Sequence, residues 1–335
     1  MATTLKDIAQ ATGLSISTVS RVVSGTGYVS EEARQKTEQA IAELGYQHHK
    51  RNRRFPDDSS DQVLVLIGGV SNSVSSSRVE LLCDKLVQRR KQPLVGLTHF
   101  LAEREYAYLN MAAERHFFGV ITFTIGSSDK TARLLRHYPC PLVMLERYLP
   151  MKRIDCLHAD YYKIGFDCAT YLIEHGHTRI AFVGGSSTST ITQDKSLGFA
   201  DCMHAHGLDV PESHLLHLER SNYMSGVDIV DRILELKPRP TALVTSNDAS
   251  AGIVHELMRR GIRVPQNMSV ISGEDTPLTQ NAQVPITSMS IDDAQMCSDA
   301  VKTLFKRRRQ PDAPFTHTYY DPEIRERASV MTLQR

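Results

Sequence analysis

The sequence has no tryptophan, so its intrinsic fluorescence rests on twelve tyrosines. No apolar run approaches the ~18–20 residues that span a bilayer, and no apolar signal-peptide core stands near the start. A soluble, cytoplasmic protein is therefore expected, with no membrane partner. Disulfide and zinc patterns are missing too. The cysteines Cys83, Cys140, Cys156, Cys168, Cys202 and Cys297 are scattered and form no CxxC pair, which points to reduced thiols. No G-x-G-x-x-G opens a helix after a strand, and there is no Walker loop, metal-ligand spacing or nucleophile elbow. Those absences argue against an enzyme, and no catalytic residue, cofactor or metal is expected. An excess of either charge is also absent, with 39 Lys+Arg against 38 Asp+Glu. Proteins that coat nucleic acid are usually strongly basic, so any nucleic-acid surface here has to be local. The 335 residues suffice for two or three domains.

What is present begins in residues 4–46, which read as three short helices with two tight corners. Thr4 starts a capping box with Asp7. Ile8 and Ala9 supply the first apolar face, and Gly13 stands where a left-handed residue ends a helix. Ser15 suits the N-cap of the second helix. Val19, Val22 and Val23 repeat at helical spacing and face inward. Ile16, Ser17, Thr18, Ser20 and Arg21 are left facing outward. Small, hydroxylated and cationic side chains at the start of an outward face suit a helix lying in the DNA major groove. The bland alternative is a three-helix cap on an enzyme.

The stretch 47–61 shows no apolar periodicity. Lys50, Arg51, Arg53 and Arg54 crowd together with no acid among them, followed by Phe55, Pro56 and a polar spacer. Such a segment either follows the phosphate backbone and wedges Phe55 into the minor groove, or is a solvated tether. From residue 62 the character changes. Short apolar strands are expected at 63–67, 93–99, 119–125, 141–146, 179–185, 215–219, 241–248 and 268–275. Helices are expected at 78–90, 103–116, 129–137, 160–177, 194–206, 225–236 and 249–260, after a serine-rich loop at 71–77. This alternation implies parallel sheets covered by helices on both faces. It falls into two runs that break near residue 160, leaving a crevice at the strand ends where small ligands bind.

LKDIAQATGLSISTVSRVVSG, SND at 246–248, MRRGIRVPQNMSVISGED at 258–275, VPITSMSIDDAQM at 284–296 and PEIRERASV near the end together resemble the lactose-repressor/galactose-repressor (LacI/GalR) family of transcription regulators. The resemblance spans essentially the whole chain. It implies an α/β fold class: an N-terminal helix-turn-helix head and a periplasmic-binding-protein-like core of two doubly wound parallel-sheet subdomains. The expected layout is a head at 1–46, a hinge at 47–61 and an effector-binding and dimerisation core at 62–335. Subdomain one would take about 62–159 and 291–317, and subdomain two about 160–290 and 318–335. The implied function is a sugar- or sugar-acid-responsive repressor that binds pseudopalindromic double-stranded operator DNA as a homodimer. No heptad pattern closes the sequence, which favours a dimer over a tetramer. A corepressor-dependent regulator sensing a purine is the alternative; a solute-binding protein fits the core but not the head.

Carried over residue by residue, the resemblance puts Ile16, Ser17 and Arg21 on bases, with Arg21 suited to guanine O6 and N7. Thr18 and Ser20 match phosphate contacts. Phe55 stands where the family inserts a leucine between base pairs, and Arg53 matches the arginine two residues before it; Arg54 adds charge. The hinge departs from the family pattern: His48 and His49 replace Pro-Asn, and Asn52 replaces Ala. The loss of a cap and a first-turn proline weakens a hinge helix, and extra phosphate contacts would compensate. In the crevice the candidates are Ser71, Asn72, Glu146, Lys195, Tyr223, Asn247, Asp248 and Asp275. Converging carboxylates and amides suit the adjacent hydroxyls of a polyol, and Lys195 is a cation and donor. SNYMSG at 221–226 and the lysine three residues before Gly198 resemble members that sense gluconate-like sugar acids. Blander readings make Asp248 a helix cap and Glu146 a solvated loop charge. His175 and His177 flank a helix end, where a cation favours the dipole. KRRR at 306–309 reads as a solvated helix C-terminus, with a second DNA contact as the alternative.

Overall fold

A computed structural model describes residues 5–24, 29–44, 60–124, 129–146 and 154–333. The chain divides into two compact units, a head up to residue 54 and a core from residue 55. Head helices α1 (Leu5–Thr12), α2 (Ile16–Ser24) and α3 (Glu31–Glu43) pack around Ile8, Ala9, Val19 and Ala40, with Leu14, Val23 and Ile41 alongside. Val22 is half-buried. Gly13 takes φ +68°, the left-handed turn that ends α1. The expected capping box at Thr4 and the hinge residues Arg53, Arg54 and Phe55 lie outside the described residues.

The core opens with β1 (Gln62–Ile67), α4 (Ser73–Gln88), β2 (Gln92–Leu97), α5 (Ala102–Glu114), β3 (Gly119–Thr122), α6 (Asp129–Leu135), β4 (Leu142–Leu145) and β5 (Asp155–Ala159). It continues through α7 (Tyr161–Glu174), β6 (Ile180–Gly184), α8 (Thr190–Ala205), β7 (Leu215–His217), α9 (Tyr223–Asp228) and α10 (Val230–Glu235). Then come β8 (Ala242–Thr245), α11 (Ala249–Arg259), β9 (Ser269–Ser272), α12 (Pro277–Gln280), β10 (Thr287–Ser290), α13 (Asp293–Arg309), β11 (His317–Tyr320) and β12 (Glu323–Arg325). One six-stranded sheet runs β11-β5-β4-β3-β1-β2, all parallel. The other runs β12-β10-β9-β8-β6-β7, with only β12 antiparallel.

Strand alternation explains why both sheets are covered on two sides. Val63, Val65 and Ile67 enter one apolar cluster, Leu64 and Leu66 the opposite one. In the second sheet Ala181 and Val183 point one way, Ile180 and Phe182 the other. Among the described residues no helix is long and apolar enough to cross a membrane.

Several sequence expectations change. β5, DCLHA, carries no apolar run, yet every residue of it is buried. Helix α4 starts at Ser73 with Asn72 as its N-cap, its side chain accepting from the Ser75 N–H at 2.9 Å, so most of the serine-rich stretch is helix. The helix expected at 225–236 is two short ones meeting at Ile229. β11 pairs with β5, so the last crossing between subdomains falls after Tyr320 rather than at 317/318. The KRRR run is not wholly solvated. Arg307 is buried, and its Nε and Nη2 donate to the Asp155 carboxylate at 2.8 and 3.0 Å. His177 is buried as well, and burial lowers its pKa, so it is no helix-end cation.

Candidate functional site

In the head, α2 begins where Ser15 caps it: the Ser15 Oγ accepts from the Thr18 N–H at 3.1 Å. The same Oγ lies 2.7 Å from the Ser17 hydroxyl and 2.8 Å from that of Thr18. Burial of Val19 fixes the roll of the helix. Ile16, Ser17 and Arg21 are then exposed, and Thr18 and Ser20 half-exposed, on one outward face.

In the core, the strand C-termini of both sheets face a crevice of about 700 Å³. One wall comes from Gly68–Asn72 after β1, His99 and Phe100 after β2, Phe123 and Thr124 after β3, Glu146 after β4, and Arg78 on α4. The other comes from Tyr161, the 185–189 loop, Thr192 and Lys195 on α8, Glu219–Ser221 after β7, Ser246 and Asn247 after β8, and Glu274 after β9. His99, Phe100, Glu146 and Asn247 all hold left-handed φ values between 51° and 67°. Such strained positions persist where the surroundings over-determine them, and they gather at binding sites. The Phe100 ring sits so close to Gly68 that a Cβ there would lie 2.2 Å from it.

The buried charges of the crevice are paired. Arg78 contacts Glu146, and its Nε donates to Asp293 at 2.8 Å. Lys195 contacts Glu274, whose other oxygen accepts from the Asn247 N–H at 2.9 Å. Burial pulls the Lys195 ammonium down, to about 7; the Glu274 carboxylate against it opposes that pull. Burial pushes the Tyr161 phenol up, so it keeps its proton and remains a donor. Charge-assisted donors and acceptors in a half-apolar cleft suit a small polar ligand.

Of the expected effector residues, Ser71, Asn72, Glu146, Lys195 and Asn247 line this crevice. Glu146 is no solvated loop charge, being paired with Arg78. Three do not line it. Tyr223 starts α9 and packs against the core of the second sheet, its ring 6.0 Å from His255. Asp275 points away, its carboxylate held by Arg327 at 2.7 and 2.9 Å. Asp248 makes no side-chain cap bond to α11; it reaches Ser73 on the facing wall instead. Sequence reasoning missed Arg78, Phe100, Tyr161, Arg220 and Glu274. The GED triplet at 273–275 held the signal for Glu274, but only the turn after β9 decides which acid faces inward.

Residues 4–48 match the family model for bacterial regulatory proteins of the lacI family, and residues 169–330 that for a periplasmic binding protein-like domain. The chain belongs to the LacI family. It is a DNA-binding transcription regulator with a ligand-binding core, not an enzyme. Among LacI-family relatives, the HTH-type transcriptional regulator DegA of Bacillus subtilis is 26% identical over 99% of each chain. The ribose operon repressor of Escherichia coli is 28% identical over 98% of this chain and 99% of its own. The solved complex of the transcriptional regulator CelR with cellobiose superposes with a TM-score of 0.72, at 24% identity, over 98% of this chain and 99% of that one. At that identity the superposition speaks for the fold.

Proposed function

We propose that the crevice binds a polyhydroxylated small molecule, a sugar or sugar acid, and that its occupancy sets the operator affinity of a cytoplasmic, homodimeric repressor. The carrying observation is the convergence of Glu146, Lys195, Asn247 and Glu274 from both walls of one crevice. Paired acids and cations exchange readily with ligand hydroxyls, each of which both donates and accepts. The ribose operon repressor, at 28% identity, supports the carbohydrate class. Arg78 and Lys195 are already answered by carboxylates. A ligand carboxylate therefore has to compete with Glu274 or meet exposed Arg220 at the rim. The Phe100 ring offers a stacking face, which keeps a purine corepressor as the second reading.

On the DNA side, Arg21, Ile16 and Ser17 would read bases, and Thr18 and Ser20 would fix the register. Arg53, Arg54 and Phe55 would serve the hinge. Dimerisation is supported by β2, an edge strand with Leu94 and Val95 exposed beside Val87 of α4, a surface that folded proteins usually cover. Two heads on one dimer imply a pseudopalindromic operator.

The test is thermal melting of the full chain against neutral sugars, sugar acids, sugar phosphates and purines, since a ligand of the folded state raises the melting temperature by mass action. A shift with a sugar or sugar acid that disappears in Asn247→Ala supports the reading, and loss of an acid's shift in Arg220→Gln marks the carboxylate's partner. A shift confined to purines sinks the carbohydrate class and supports the corepressor.

A further inference from the structure

Asp248 stands at the N-terminal end of α11 in the second subdomain, yet its Oδ2 accepts from the Ser73 N–H at 2.7 Å and the Ser73 hydroxyl at 2.9 Å. Ser73 is the first residue of α4 in the first subdomain. The carboxylate thus lies at the positive ends of two helices that face each other across the crevice. Asp248 is 4% exposed, and its Oδ1 is a buried oxygen with no hydrogen-bond partner among the described residues. Native structures rarely leave a buried carboxylate oxygen unanswered.

We propose that Asp248 is a latch between the subdomains, holding the crevice shut through Ser73 and poised to release it. Charge-assisted bonds to the start of α4 favour the closed arrangement. The buried Oδ1, which no described protein donor answers, works against it, because opening exposes that oxygen to solvent. The two effects oppose each other, and a ligand that binds one arrangement better than the other shifts their populations. The subdomains are joined by the short connections β5–α7, β10–α13 and β11–β12, and a rotation there parts Ser73 from Asp248 before it disturbs either sheet.

Hydrogen exchange of the full chain, read by mass spectrometry, tests the latch. Asp248→Ala should speed exchange roughly tenfold or more in 70–76 on the facing wall, the loss expected when a charged hydrogen bond is removed. Exchange in β1 and β8 should stay unchanged. Ser73→Ala, which keeps the main-chain donor, should give a smaller rise in 70–76 and also in 246–250. In the double variant the effect should not exceed that of Asp248→Ala alone. Changes confined to the substituted wall, full additivity, or a rise throughout the core would overturn the proposal. Should Asp248→Ala fail to fold, Ser73→Ala decides: faster exchange on the Asp248 wall upholds the latch, and none refutes it.

Discussion

Lys195 sits on α8 with its ammonium against Glu274, and both are buried. Removing one partner of such a pair typically costs about 3–5 kcal/mol, because the other charge stays behind without compensation. With Glu274 in place, burial pulls the Lys195 ammonium from 10.5 to about 7. A cation depressed in the fold is a proton the unfolded chain binds more tightly. The parent should therefore lose stability as the pH falls from 10.5 to about 7, while Lys195→Met, which has no such proton to bind, changes less over that interval. Urea unfolding at several pH values reads the difference; parallel curves for parent and variant would refute it. His177 gives the same sign at lower pH. Its Nε2–H donates to the Met331 carbonyl at 3.1 Å, its Nδ1 lies 3.0 Å from the Thr241 hydroxyl, and burial holds its pKa below 6.5. Its contribution is present above 6.5 and is lost as the pH drops below that value. The melting temperature of the parent should fall more steeply from neutral to acid pH than that of His177→Gln.

Helices α7 and α8 touch at a pair of glycines. A Cβ on Gly165 would lie 1.9 Å from the Lys195 carbonyl oxygen, and one on Gly198 would lie 2.0 Å from that of Tyr162. Neither obstacle is a flexible side chain, so one helix has to move. Gly165→Ala should cost roughly 1–3 kcal/mol of stability, as overpacking does, and shift Lys195 out of the crevice, weakening effector binding. Gly69→Ala, whose Cβ would meet nothing within 4 Å, is the control for stability; an equal loss of stability in both would refute the packing argument. Legibility in the sequence follows from the same physics. VLVLI announced β1 because each of its residues serves one of two apolar clusters. β5 was not legible. Its Asp155 belongs in the interior only because Arg307, far along the chain, turns in to meet it. The crevice was half legible. Loops after strands could be located, but the choice between Glu274 and Asp275 depends on Arg327 holding the latter. Nothing near Asp248 in sequence names Ser73, 175 residues away, as its partner.

At the scale of the whole molecule, a LacI-family regulator has to let a core ligand alter a DNA contact, and any such coupling is reciprocal between the two ligands. The head-to-core segment carries Lys50, Arg51, Arg53 and Arg54, against an overall formal charge of +1. The positive charge of this segment is thus a local cluster rather than a property of the whole chain. Each cation that neutralises a phosphate adds about 0.9 to the slope of log affinity against log salt. Replacing Lys50, Arg51 and Arg54 by glutamine should therefore flatten the slope by up to about 2.7 per head. Discrimination between operator and random DNA should survive, because phosphate contacts position without specifying. Arg21→Ala should do the reverse, leaving the slope within about one unit of the parent's while losing roughly 1–3 kcal/mol of discrimination at one base pair. Titrating a selected operator and a scrambled duplex across a salt series separates the two effects. An unchanged slope in the triple variant would make the basic segment a solvated tether, and the work of binding would then fall to α2 and its cap at Ser15.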